Sequence, residues 1–268
     1  MKNVLLLVHD DDGQEARLQA ALDATRALEG HLTCVHVTEF APIIGADAYG
    51  MSGAVMMLEA EQDIESENRS KIESRLSGEG VPFDWIEVTG AMEPAIKDAA
   101  DLADLIVVNS QLSTLFQPQV YKLVERLVVK SGKPLLAVPT EQGFCPADPA
   151  LVAWDGSDPA SGAVRAAIPL LQLSDSVTLY EIGDGSDDKS IEDAAEYLSR
   201  HGVKAEVVRE TAPDSDFVEP LLLGKLESGR FAWAVMGAFS KSRIREALFG
   251  GTTKRMLRDS PVPLLIAH

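Results

Sequence analysis

The sequence predicts an α/β protein built of two tandem, Rossmann-like, doubly wound parallel-sheet domains. Three observations lead there. Short apolar runs alternate with amphipathic segments along the whole chain, as in a series of βαβ units. The runs, such as Leu105-Ile-Val-Val108 and Trp233-Ala-Val-Met236, are continuous rather than alternating, as strands buried on both faces must be. The alternation is also traversed twice, because the chain repeats itself.

The repeat is legible at both ends of each half. Leu135-Leu136-Ala137-Val138 after Pro134 matches Leu264-Leu265-Ile266-Ala267 after Pro263, at an offset of 129. Upstream, Glu125-Arg126-Leu127 with Ser131 matches Lys254-Arg255-Met256 with Ser260 at the same offset. The opening strands match at an offset of 145: Val4 to Asp10 ends in an acid, and so does Leu151-Val-Ala-Trp-Asp155. The drop in offset leaves about 16 extra residues in the first half, from Glu39 to about Leu58, rich in Gly, Ala and Met. That insertion suits a lid or an oligomer contact, with an ordinary buried loop as the alternative.

Each half then reads βαβαβαβαβ. In the first, strands are expected near 3–9, 31–37, 82–88, 104–109 and 134–138, with helices near 13–29, 54–77, 92–102 and 119–131. The first helix rests on Leu18, Ala21, Leu22, Thr25 and Leu28, which share one face at 3.6 residues per turn. In the second half, strands are expected near 150–154, 176–182, 203–209, 231–236 and 262–266. Its helices are expected near 159–171, 187–201, 214–228 and 246–259. Pro139 to Pro149 has Gly143 and Pro146 but no periodicity, and reads as a linker between domains 1–140 and 149–268.

Composition narrows the function. A chain that is 46% hydrophobic but only 6% aromatic builds its core from Ala, Leu, Val and Ile. The formal net charge of -18 repels phosphate backbones and argues against nucleic acid as a partner. No apolar run approaches the roughly 18 residues of a membrane helix, so no membrane partner is expected. The opening Met-Lys-Asn-Val-Leu-Leu-Leu-Val is too short for a signal peptide and runs at once into Asp10-Asp11-Asp12; it reads as the first strand of a cytoplasmic protein. Cys34 and Cys145 read as two free thiols in a reducing compartment, too few and too far apart for a zinc site.

In doubly wound sheets, ligands bind beyond the carboxyl ends of the strands, where the strand order reverses. The loop after the fourth strand of the second half is the most informative such stretch. It runs from Met236 and Gly237 through Ser240 to Gly250, Gly251, Thr252 and Thr253, and a helix follows. Glycines let main chain approach an anion, and N–H groups at a helix start point at it with a favourable dipole. Lys241, Arg243, Arg245, Lys254 and Arg255 add a basic cluster to an acidic chain; the competing reading is a tight turn with these cations paired to Glu246 or Asp259. After the first strand come Asp155-Gly156-Ser157-Asp158-Pro159, where Ser157 or Asp158 also suits a helix cap with proline just inside.

These residues resemble the universal stress protein family, whose motif is Gly, two residues, Gly, nine residues, Gly, then Ser or Thr. The sequence departs from it in two places: Ser240 stands for the second Gly, and Gly251 for the Ser or Thr, with Thr252 displaced by one. The resemblance implies an adenine nucleotide alpha hydrolase-like fold and a nucleotide, ATP with or without Mg²⁺, held in the second half. It implies Asp155 on the adenine and ribose side, main-chain contacts from Tyr180 to Gly183 including Ile182, and phosphates on the loop from Met236 to Thr253. It further implies that the halves pack as an intramolecular pseudo-dimer, their fifth strands pairing across the interface; a homodimer of chains is compatible with this. The first half keeps Asp10 at the strand end, but its fourth loop, Asn109 to Val120, has no glycine and includes Pro118, so phosphate binding there is not expected.

No catalytic set stands out. His31 and His36 are five apart on a strand and face opposite sides, while His9 beside Asp10 suits a packed residue better than a ligand. No phosphate-binding Walker loop, zinc spacing or nucleophile elbow is present. A stress or regulatory protein that turns ATP over slowly or not at all is therefore the expectation. The rival readings are an interaction module that binds no nucleotide, and a carrier or enzyme for another small anion.

Overall fold

All ten expected apolar runs form strands. They are β1 (Asn3–Val8), β2 (His31–Thr38), β3 (Phe83–Thr89), β4 (Leu105–Asn109), β5 (Leu135–Val138), β6 (Ala150–Trp154), β7 (Val177–Ile182), β8 (Ala205–Glu210), β9 (Trp233–Gly237) and β10 (Leu264–Ala267). The computed structural model describes residues 1–38, 66–110, 121–183, 190–212, 217–238 and 251–268. Within these lie α1 (Gln14–Ala27), α2 (66–78), α3 (Met92–Ala99), α4 (Tyr121–Ser131), α5 (Asp158–Leu171), α6 (Ile191–Arg200), α7 (Val218–Glu227) and α8 (Gly251–Asp259). The insertion at 39–58 lies outside the described residues.

The strands lie in one sheet of order β3-β2-β1-β4-β5-β10-β9-β6-β7-β8. The second five strands repeat the arrangement of the first five in mirror order. Every pairing is parallel except β5 with β10, which is antiparallel and sets Leu136 opposite Leu265. Pro134 and Pro263 just precede these two strands, where a missing N–H costs no ladder bond, and their carbonyls accept from Ile106 and Ala234. The strand order reverses at β1/β4 in the first half and at β6/β9 in the second.

Because the inner strands are covered on both faces, their side chains alternate between two apolar layers, while the edge strands β3 and β8 stay partly exposed. Val4, Leu6 and Val8 belong to the layer that holds α1, α2, α5 and α6, while Leu5 and Leu7 belong to the layer that holds α3, α4, α7 and α8. The face of α1 expected from spacing is the buried one, Leu18, Ala21, Leu22, Thr25 and Leu28. Ser157 caps α5 by accepting from the Ala160 N–H at 3.2 Å, and Ser190 caps α6 by accepting from Asp193 N–H at 3.1 Å.

The stretch between β5 and β6 is more ordered than a linker without periodicity suggests. Phe144 is buried and meets Trp233 edge-on at 5.5 Å between centroids. The Trp233 indole N–H donates to Asp148 O at 3.1 Å, and Ser174 Oγ donates to Pro146 O at 2.9 Å. The stretch is thus pinned to the second half. Trp233→Ala should lower unfolding free energy by about 3–5 kcal/mol in urea titrations and expose 139–149 to limited proteolysis.

Both cysteines are free thiols, Cys34 buried on β2 and Cys145 exposed. Burial, reinforced by the charge of Glu73, pushes the Cys34 thiol up to about 12. Ellman's reagent should therefore titrate one thiol per native chain at pH 8, and two after unfolding.

Candidate functional site

The carboxyl ends of β6, β7 and β9 bring Asp155, Ile182, Met236 and Gly237 to one edge of the sheet. Asp155 follows β6, and its Oδ1 accepts from the Ser157 N–H at 3.1 Å, which folds the chain into the cap of α5. Gly156 between them adopts φ 69°, a left-handed conformation that glycine reaches without strain. The Asp155 carboxylate is exposed at the head of this turn. Ile182 closes β7, and the following Gly183 N–H is already committed to Glu210 O at 3.0 Å. Tyr180 faces the α7 layer, where its hydroxyl donates to Glu210 at 2.6 Å and Lys225 lies over its ring at 4.9 Å. Burial, and then the hydrogen bond to Glu210, pushes the phenol pKa up, so Tyr180 remains a neutral donor.

Gly237 stands where the sheet meets a helix most closely. A Cβ at this position would lie 2.4 Å from Ala160 N and 2.7 Å from Pro159 C, both main-chain atoms of α5. The glycine therefore has a steric reason that is complete without any ligand: it lets the start of α5 sit against the end of β9. The next residue, Ala238, is held from both sides, its N–H by Ala267 O at 2.8 Å and its carbonyl by the His268 ring at 2.8 Å.

Gly251, Thr252 and Thr253 form the first turn of α8 as described, whose N–H groups point away from the helix. The Thr252 hydroxyl donates to Glu219 of α7 at 3.1 Å, so that side chain is turned toward a carboxylate. Arg255 lies 3.6 Å from both Glu219 and Asp259, and Arg258 pairs with Asp259 at 2.7 Å. Part of the expected basic cluster is thus paired internally, Asp259 being one of the anticipated partners. Ser240, Lys241, Arg243, Arg245 and Gly250 lie outside the described residues.

The first half differs at the same junction. Its structural counterpart of Asp155 is Asp11 rather than Asp10: Asp11 Oδ1 accepts from Gly13 N–H at 2.9 Å, repeating the Asp155–Ser157 turn. The offset of 145 misaligned the two by one residue, because the turn after β1 is anchored by its hydrogen bond and not by the strand end. Asn109, paired with Val138, occupies the register of Gly237, paired with Ala267. A Cβ on Gly13 would meet the Asn109 side chain at 2.5 Å. Four residues into each helix, where α5 has Ser161, α1 has Arg17, and its guanidinium fills the crevice. Arg17 Nε donates to Leu7 O at 2.6 Å, Nη2 to His9 O at 2.9 Å, and Nη1 to Asp11 at 3.2 Å and to Asn109 Oδ1. Asn109 in turn donates to Gly13 O at 3.1 Å and Val138 O at 3.2 Å. Sequence reasoning missed Arg17, although a charged residue inside the Leu18, Ala21, Leu22 stripe was a visible signal.

A separate open cleft of about 530 Å³ lies beneath the 139–149 stretch, lined in part by Phe144, Leu226, Phe231 and Val262. It sits at the amino ends of β9 and β10, away from the carboxyl-end residues described above. Among the described residues no cluster of His, Cys, Asp and Glu could hold a metal ion, and no helix is long and apolar enough to cross a membrane.

Residues 1–139 match the model of the universal stress protein family. The chain belongs to the universal stress protein family. The matched half is the one with the Arg17 crevice, whereas the loop that carries the resemblance in the sequence, Gly237 to Thr253, lies in the other. A universal stress protein of Synechocystis sp. is 22% identical over 99% of this chain and 99% of its own. Among solved structures, a universal stress protein from Archaeoglobus fulgidus superposes with TM-score 0.71 at 17% identity, over 99% of this chain and 97% of that one. A putative universal stress protein from Pseudomonas aeruginosa gives TM-score 0.60 at 14% identity, over 100% and 93%. These relatives run the full length of the chain, so its fold is that of a universal stress protein throughout, the second half included.

The close approach at Gly237 makes a sharp prediction. Gly237→Ala should cost about 1–3 kcal/mol of unfolding free energy, since a main-chain neighbour must move. Gly183→Ala, whose new methyl meets nothing within 4 Å, should leave the thermal midpoint almost unchanged in the same assay.

Proposed function

We propose that the second half of this universal stress protein binds an adenine nucleotide, ATP with or without Mg²⁺, and that the chain acts as a cytoplasmic stress or regulatory protein. The observation that carries this reading is the convergence of Asp155, Ile182, Met236 and Gly237 on the carboxyl edge at the β6/β9 reversal, with the start of α8 following from the same strand. Asp155 would take the adenine and ribose side. The main chain at Ile182 would take the base edge. Gly251, Thr252 and Thr253 would face the phosphates through their N–H groups, together with Ser240 and Gly250 of the loop. We further propose that 1–140 and 149–268 are two universal stress protein domains, joined through β5 and β10 as a pseudo-dimer within one chain.

A second reading is favoured by one observation. Thr252 and Arg255 are both engaged by Glu219, as expected of an α8 that serves packing alone in a tandem interaction module. Release of nucleotide from purified, denatured protein, followed by mass spectrometry, separates the two. Bound adenine nucleotide, and a thermal shift of fresh protein in Mg-ATP, are expected. Gly251→Asp sets a carboxylate against the phosphates and should weaken binding at least about tenfold in calorimetric titration with the fold intact. An empty protein with no thermal shift would leave the interaction module as the function.

A further inference from the structure

At the β1/β4 reversal the described groups that meet the Arg17 guanidinium are acceptors. Leu7 O and His9 O come from the end of β1, the Asp11 carboxylate from the turn that follows, and Asn109 Oδ1 from the end of β4. The second half keeps the turn carboxylate, Asp155, but lacks the occupant and the strand amide: Ser161 stands where α1 has Arg17, its Oγ donating to Ser157 O at 3.0 Å, and Gly237 stands where β4 has Asn109. A phosphate seeks N–H donors; this crevice offers oxygen lone pairs arranged around a planar cation. Arg17 is 0% exposed, so no part of the guanidinium is shared with solvent.

We propose that Arg17 is the resident ligand of the first half: its guanidinium fills a cation-selective crevice at the strand-order reversal and closes that half to nucleotide. The contrast with the second half rests on the nucleotide reading given above; the cation selectivity does not. The network also explains why Gly13 lacks a side chain, because the Asn109 amide occupies that space while it donates to Gly13 O. The four elements that meet there, β1, α1, β4 and β5, are thereby tied by one side chain and its neighbours, and the half is held in a permanently ligated form.

Chemical rescue tests the crevice directly. Arg17→Ala should lower the thermal midpoint by at least about 5 °C. Millimolar guanidinium or methylguanidinium, far below denaturing levels, should recover part of that loss, while urea and sodium chloride at the same concentration should not. Wild-type protein should show no such gain. A folded Arg17→Ala protein indifferent to guanidinium would overturn the proposal. Should that variant fail to fold, NMR of the wild type decides: the Arg17 Nε–H should exchange slowly and stay unshifted in saturating Mg-ATP. Fast exchange, or a shift with nucleotide, would overturn it. Calorimetry should give one nucleotide per chain, and two would overturn it as well. If no nucleotide binds anywhere, the reading of the second half fails, and the guanidinium rescue is still expected.

Discussion

The antiparallel pairing of β5 with β10 is the contact on which the arrangement depends. Each strand has four residues, all buried, and each would otherwise be the flat apolar edge of a five-stranded sheet. Such an edge is a template for pairing with another chain, and here the other half of the same chain occupies it. Like meets like across it, as in the isologous interface of a two-fold dimer. A geometric consequence follows. All strands of the first half run one way and all strands of the second run the other, so the two carboxyl edges lie on opposite edges of the sheet. Each reversal point is therefore chemically independent of the other, and the halves were free to diverge.

Their divergence is concentrated at one helix–strand junction. In the second half the strand gives way: Gly237 has no side chain, and the main chain of α5 moves in against it. In the first half the helix gives way: Gly13 has no side chain, and Asn109 of the strand fills the space. Once an amide is there, an arginine one turn on has an acceptor at hand, and Asp11 supplies the charge. A guanidinium so deeply buried costs several kcal/mol of lost hydration unless its N–H groups find oxygens, and the carbonyls of Leu7 and His9 supply two of them. The two solutions exclude each other, since an asparagine at 237 would strike α5 and a glycine at 109 would leave Arg17 short of a partner.

The elements were legible because burial on both faces forces continuous apolar runs, and because one helix face must match the sheet. The pairing of β5 with β10 was implied by the family resemblance, and the strands do pair, with Leu136 opposite Leu265. What was hidden depended on contacts between residues distant in sequence. Nothing in 139–149 advertised Phe144 as a core residue, since its partner Trp233 lies nearly ninety positions on. Asp11 was passed over for Asp10 because counting from a strand end ignores the turn hydrogen bond that sets the carboxylate's direction. Arg17 was readable only as an anomaly, a charge on an apolar stripe, until Asn109 and the carbonyl ends of β1 were beside it. The site suggested by the Gly237–Thr253 motif was visible as a pattern, but the steric reason for Gly237 was not, because it lies in the backbone of a helix 77 residues earlier.

The electrostatics of the second half then set terms for the proposed nucleotide. A net charge of -18 repels ATP at long range, although salt confines that repulsion to within about 8–10 Å of the surface. The described arginines of α8 offer limited help: Arg255 already pairs with Glu219 and Asp259, and Arg258, in the last turn, pairs with Asp259. Among the described residues the attraction then falls largely to the main-chain N–H groups at the start of α8, which carry partial positive charge and do not titrate. A site of that kind holds a polyphosphate by geometry more than by charge. Mg²⁺ would lower the ligand's own charge and so ease its approach to an acidic surface. On this reasoning the glycines near α8 matter more than Arg255 and Arg258, because a bare main chain can come close enough to supply the donors.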